Sequence, residues 1–125
     1  MTEEEKKEYC WNHAQIVKGY DKDFIRKDTC GAWIFKEHFE LKDSEFGWEI
    51  DHVFPVIMGG DDFEQNLRAM HCKNNESKGD DYPEYVSMMR AYGTKNVKLK
   101  SDCTVNEKLQ QILNDYYKYK QSNQN

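Results

Sequence analysis

Apolar residues fall in short runs separated by polar stretches, and the runs change period along the chain. Near the start, Tyr9, Trp11, Ile16, Val17 and Tyr20 recur at loose helical spacing. They predict a helix over 3–19, capped by Thr2 with Glu5 as capping-box partner and stopped at Gly19. Residues 21–31 read as a connector anchored by Phe24 and Ile25. Ala32-Trp33-Ile34-Phe35 reads as a short strand, 41–46 as polar loop, and Trp48 to Phe54 as a second strand ended by Pro55. Gly59-Gly60-Asp61-Asp62 is a turn signal. Beyond it the pattern predicts a helical turn at Phe63 to Gln65, a strand at Leu67 to Met70 and a short helix from Cys72 to Lys78 stopped by Gly79. Tyr82-Pro83, with Pro83 near the first helical position, predicts a helix to about Tyr92 stopped at Gly93. Val97 to Lys100 reads as extended. The clearest helix is Thr104 to Lys120, with Val105, Leu109, Ile112, Leu113, Tyr116 and Tyr117 on one side. Residues 121–125 read as a frayed tail. No repeat or linker interrupts the chain, so one domain over 1–125 is expected, with a helical extension over 82–120.

Composition changes this picture little. The chain has 125 residues, within the range of one domain, and 14% aromatics argue for a packed core rather than disorder. No stretch approaches the roughly 18 apolar residues of a membrane span. The start, Met1-Thr2-Glu3-Glu4-Glu5, is acidic where a secretory signal needs a basic then apolar run. A cytoplasmic protein without a membrane partner is therefore expected.

Charge changes it more. The formal net charge is −5, whereas a simple nucleic-acid coat protein is basic. The charge is uneven, with −8 in residues 37–64 and +3 in residues 65–125. The basic half offers a place for a phosphate-binding face, and a divalent cation in the acidic segment would offset two negative charges. Cys10, Cys30, Cys72 and Cys103 form no C-x-x-C pair. Free thiols in a reducing compartment fit better than disulfides or a zinc cluster.

Candidate chemistry is concentrated in residues 47–80. Asp51 and His52 end an apolar strand, Asn66 follows the Gly-Gly turn, and Asn74-Asn75 lie on a short helix with Lys78 one turn on. Burying a carboxylate and an imidazole costs several kcal/mol unless both find partners. Carboxylate and amide oxygens suit a hard cation, Mg²⁺ or Mn²⁺. An imidazole with an ordinary value near 6.5 can accept a proton from water at neutral pH.

Gly47-Trp48-Glu49-Ile50-Asp51-His52-Val53-Phe54-Pro55, then Gly59-Gly60-Asp61-Asp62, then Asn66-Leu67, then Asn74-Asn75-Glu76-Ser77-Lys78-Gly79-Asp80, resembles the HNH endonuclease family. Cys30-Gly31-Ala32-Trp33-Ile34 resembles a lead-in found in one bacterial branch. The resemblance covers residues 30–80 and takes the H-N-N form, with Asn75 in the third place. It implies an α+β fold, a ββα-metal core with flanking N-terminal and C-terminal helices. It also implies a metal-dependent nuclease that hydrolyses DNA phosphodiesters. His52 would be the general base, and Asn66 would orient the loop and the His. Asp51 and Asn75 would hold one divalent cation, Mg²⁺ or Mn²⁺, beside the leaving 3′ oxygen. Lys78 and Arg68 would contact nucleic acid.

Two departures bear on these expectations. Many relatives carry two Cys pairs that bind a structural zinc. His71 and Asn74 stand where one such pair would fall, which argues against that zinc. On an ideal strand Asp51 and His52 face opposite sides, so both reach one site only at a strand end or bulge. Plainer readings also remain: Lys78 as a solvated lysine, Asn75 as a helix-surface side chain, and the tyrosines of the last helix as packing. The charge of −5 and only three Arg leave open a weakly active or inactive HNH-fold binding module that needs a partner protein or a homodimer. RNA is the other substrate left open.

Overall fold

The structure is a computed structural model, and it describes residues 1–122. Three antiparallel strand pairs and three helices build an α+β fold: α1 (Glu3–Asn12), β1 (Ile25–Lys27), β2 (Trp33–Phe35), β3 (Trp48–His52), β4 (Leu67–His71), α2 (Cys72–Lys78), β5 (Glu84–Tyr92), β6 (Lys95–Thr104) and α3 (Glu107–Ser122). β1 pairs with β2, β3 with β4 and β5 with β6. Among the described residues, no helix is long and apolar enough to cross a membrane.

β4 holds the fold together because it is covered on both faces. Its alternate side chains Leu67 and Ala69 join Cys10, Trp11, Ile34 and Trp48 in one core. Met70, on the opposite face, joins Val53, Tyr85, Val105, Leu113 and Tyr117 in a second. The period of two along a strand thus splits β4 between an N-terminal core and a C-terminal core. Trp11 and Trp48 meet with ring centroids 5.5 Å apart, docking α1 on β3.

α1 begins where expected. Thr2 and Glu5 form the capping box, with Thr2 Oγ1 accepting from Glu5 N at 3.1 Å and Glu5 Oε1 accepting from Thr2 N at 2.9 Å. It ends at Asn12, well short of Gly19, for two reasons. The buried Arg26 guanidinium donates to the carbonyls of Asn12 and Ala14 at 3.1 and 3.2 Å, satisfying the helix end. Gln15 then exchanges backbone hydrogen bonds with Lys27, which draws the chain into an extended bridge. Within the connector Ile25 enters β1, while Phe24 is exposed.

The expected helix over 82–92 is instead β5. Pro83 does not open a helix, and Tyr85 and Ser87 alternate inward as strand residues. Gly93 is not a helix stop but the first central residue of a two-residue hairpin turn, with φ +62°, between Tyr92 and its partner Lys95. Glycine at that place fits a type II′ turn, whose twist matches the flanking strands. Val97 to Lys100 lies within the longer β6.

α3 starts at Glu107 and runs through Ser122, so Gln121 and Ser122 are helical rather than frayed. Asn123, Gln124 and Asn125 of the expected tail lie outside the described residues. Leu113 and Tyr117 are the buried positions of its predicted apolar face.

Candidate active site

β3, the turn after it, β4 and α2 position every residue singled out in the 47–80 segment. β3 and β4 are antiparallel, so Asp51 sits directly across from Arg68 and His52 across from Leu67. α2 follows β4 without a break, and its last turn returns to β3. Lys78 Nζ lies 3.3 Å from Asp51 Oδ1 and donates to the His52 carbonyl at 3.2 Å. Asn75 Nδ2 donates to Glu49 Oε1 at 3.1 Å.

Asp51, His52 and Asn75 line one cleft of about 180 Å³, with Asp80, Pro55 and Val56 on its walls. The two side chains keep separate partners: Asp51 meets Arg68 and Lys78, and His52 meets Asp62. β3 stops at His52, so that side chain is 30% exposed while Asp51 stays 4% exposed. Both residues nonetheless line the same cleft.

The turn after His52 is held rigidly. Buried Asn66 donates from Nδ2 to the Phe54 and Asp61 carbonyls, both at 3.1 Å, and accepts from Phe54 N at 2.7 Å. Its backbone carbonyl accepts from Val53 N at 2.9 Å. These bonds hold the loop that carries His52, and none of them reaches the His52 ring. Gly60 passes so close that a Cβ there would sit 1.8 Å from the Phe54 carbonyl oxygen, so the turn requires glycine. α3 clamps the same turn: Tyr117 Oη donates to Asp61 Oδ1 at 2.9 Å, and Lys120 pairs with Asp61 Oδ2. Phe63 stacks on Tyr116 at 3.8 Å, so this tyrosine pair packs against the turn.

Asp51 is a buried carboxylate with two cationic partners. Arg68 Nε donates to Oδ2 at 3.0 Å and Lys78 approaches Oδ1. Burial acts to lower the Arg68 guanidinium, but the Asp51 charge and its neighbours outweigh that and raise it further. The two cations singled out for nucleic acid are thus turned inward: Lys78 is buried, and Arg68 lies over the Tyr85 ring at 5.3 Å. Among the described residues, Arg68 Nη2 is a buried nitrogen without a hydrogen-bond partner.

His52 Nε2 lies 2.8 Å from Asp62 Oδ1, and Asp62 Oδ2 accepts from Lys6 Nζ of α1 at 2.7 Å. The Lys6 hydrogen bond first, and the His52 bond second, hold the Asp62 carboxyl below the usual carboxylate range.

The cleft offers Asp51 and Asn75 as oxygen donors to a cation. Among the described residues no three His, Cys, Asp or Glu side chains gather into a metal-holding group. The Asp51–Asn75 pair consists of one carboxylate and one amide. Arg68 and Lys78 each take one contact on Asp51, which leaves carboxylate lone pairs free. Asn75 spends its N–H on Glu49, which leaves Oδ1 as its acceptor. Oxygen donors in that number suit Mg²⁺, which keeps several waters.

Around His71 and Asn74 the side-chain polar atoms already have partners within the fold. His71 Nε2 meets the Glu45 carbonyl at 2.7 Å, and Nδ1 accepts from Lys73 N at 3.0 Å. Asn74 donates to Asp28 and to the Met89 carbonyl, and accepts from Met88 N and Met89 N.

Sequence reasoning missed Asp28, Asp62 and Glu49. Asp28 accepts from Cys30 N and Ala32 N, and across the fold from His71 N and Asn74 Nδ2, at 2.9 to 3.1 Å. An Asp opening a Gly-containing turn, Asp28-Thr29-Cys30-Gly31, is a local signal for its first two bonds. No local signal exists for the other two. No protein-family model, curated protein or solved structure matches the chain.

Proposed function

We propose that the chain is a metal-dependent DNA endonuclease of the HNH type, with β3, β4 and α2 as its ββα-metal unit. The observation that carries this reading is the shared cleft of Asp51, His52 and Asn75 at the strand end. His52 accepts the proton of the attacking water, being the exposed imidazole at the opening. Asp51 and Asn75 would hold the cation from the cleft wall. A divalent cation there supplies charge stabilisation at the leaving 3′ oxygen. Asn66 keeps the His52 loop in place. Arg68 and Lys78 act through Asp51, leaving the trio with a net charge of +1 that favours a substrate phosphate at the opening. The same reading puts the protein in the reducing cytoplasm. Its four thiols are free, and burial pushes Cys10 up to about 12.

Supercoiled plasmid should be nicked or linearised in Mg²⁺ or Mn²⁺, and EDTA should stop the reaction. His52→Ala should slow cleavage by about 10²–10⁴-fold, the range of general-base catalysis. A His52→Ala protein that cuts at the parent rate sinks the assignment. Labelled DNA and RNA incubated in parallel identify the substrate.

One observation favours a second reading. The double cationic pairing of Asp51 offsets the charge that a metal needs, as in a binding module without activity. A protein that retards DNA at low salt but never cuts it in Mg²⁺ or Mn²⁺ would establish that reading instead.

A further inference from the structure

The turn that carries the Gly-Gly pair also delivers a carboxylate to the candidate base. Asp62 Oδ1 lies 2.8 Å from His52 Nε2, and Lys6 Nζ holds the other oxygen at 2.7 Å. Lys6 also pairs with Glu3 at 2.7 Å, so the lysine is fixed from two sides on α1. An ionised carboxylate only accepts hydrogen bonds. The imidazole nitrogen facing it must therefore carry the ring proton, and in the neutral ring the other nitrogen keeps the lone pair.

We infer that Asp62 is a positioning residue that fixes His52 as the Nε2–H tautomer with Nδ1 as its basic nitrogen, and that Lys6 fixes the orientation of Asp62. The assignment deepens the nuclease reading and rests on it for its catalytic consequence. The tautomer itself does not depend on that reading.

Asp62→Asn makes the point chemically. Lys6 is a donor only, so it holds the amide oxygen and turns the NH₂ toward His52. Nε2 must then accept, and the ring proton moves to Nδ1. With Lys6 also replaced, the amide is free to rotate, present its oxygen to Nε2–H and restore the first tautomer. An ordinary structural contact predicts no such rescue.

The experiment measures ¹⁵N imidazole shifts at pH 8, where an ordinary imidazole is neutral. His52 is assigned by loss of its signals in His52→Gln, and the same proteins are assayed for plasmid cleavage in Mg²⁺. The parent should show Nε2–H. Asp62→Asn should show Nδ1–H and cut at least about tenfold more slowly, since a base in the wrong tautomer forfeits much of its 10²–10⁴-fold contribution. Lys6→Met added to Asp62→Asn should return the Nε2–H pattern and most of the rate. Urea unfolding of each variant identifies any that fails to fold. An Asp62→Asn protein that keeps Nε2–H, or that cuts as fast as the parent or faster, overturns the proposal. A double variant that stays in the Nδ1–H form overturns the role of Lys6. If the parent cuts no nucleic acid, the nuclease reading falls alone and the tautomer patterns still decide between these outcomes.

Discussion

Asp28 and Asp51 are both buried carboxylates, 0% and 4% exposed, yet they are satisfied in opposite ways. Asp28 takes four neutral N–H donors, three of them backbone, which saturates both oxygens. Asp51 takes two charged side chains, one on each oxygen, and lines a cleft. Neutral donors spread a charge over the main chain and tie distant segments together. Here they join the turn before β2 to the junction of β4 and α2. Charged partners leave a site electrically adjustable, because each partner can trade the carboxylate for another anion. One Asp ties distant segments together, and the other sits in an ion cluster beside the candidate cleft.

The sharpest break of this contrast is Asp51→Ala. It leaves Arg68 and Lys78 as uncompensated buried charges, and removing one partner of such a group costs about 3–5 kcal/mol. Replacing all three with Asp51→Leu, Arg68→Met and Lys78→Met should recover most of that stability in urea unfolding, because a well-packed apolar substitute is often neutral or better. If the triple variant stays as unstable as Asp51→Ala, the cost lies in packing and not in charge.

Asp28→Ala should cost somewhat less, about 2–3 kcal/mol, from buried N–H groups left without acceptors. No second substitution should restore it, since three of the donors are backbone. The parts of the molecule that still fold should keep the Asp51 cleft, so any cleavage per folded molecule should change little.

These contrasts also mark what the sequence could reveal. The path from β3 through α2 was legible because its signals are local: an apolar strand, a Gly-Gly turn, another strand and a seven-residue helix ended by Gly79. The end of α1 was not, because Arg26 supplies its cap from 12 to 14 residues away. β5 was misread because Pro83 and Gly93 imitate helix boundaries, while the true determinant is pairing with β6. At the site the cluster was legible, but the direction of its cations was not. Arg68 faces Asp51 because of strand register, and Lys78 because of the return of α2. Asp28 reaches His71 across 43 residues, a contact without a sequence period.

A smaller effect tests the adjustable charge at Asp51. The trio's net +1 should make Mg²⁺ binding weak in the free protein. Adding an uncleavable oligonucleotide, whose phosphate brings negative charge to the opening, should tighten Mg²⁺ by about tenfold, or about 1.4 kcal/mol. Calorimetry with and without oligonucleotide measures this. Equal affinity in both would show that Asp51 and its cations do not govern the site.

The smallest effect comes from a third carboxylate, which serves as the surface reference for both. Asp62 is half-exposed, and its carboxyl is held below the usual range by Lys6 first and His52 second. A carboxyl lowered in the folded state adds stability above its unfolded value, and that stability is lost as pH falls through the folded value. Lys6 in turn is raised to about 12, so the pair is intact at neutral pH and is lost on the alkaline side only as pH rises through that value. Lys6→Met should therefore lower stability only slightly at pH 7, the smallest loss of the series, because Asp62 is half-exposed and the pair is screened by solvent. The difference from the parent should shrink as pH falls through the folded value of Asp62, and so be smaller at pH 2 than at pH 7. Urea unfolding at the two values checks this, and 1 M NaCl should shrink the pH 7 difference further. A difference of the same size at both values would mean that Lys6 holds α1 by packing its stem, with the charge playing no part.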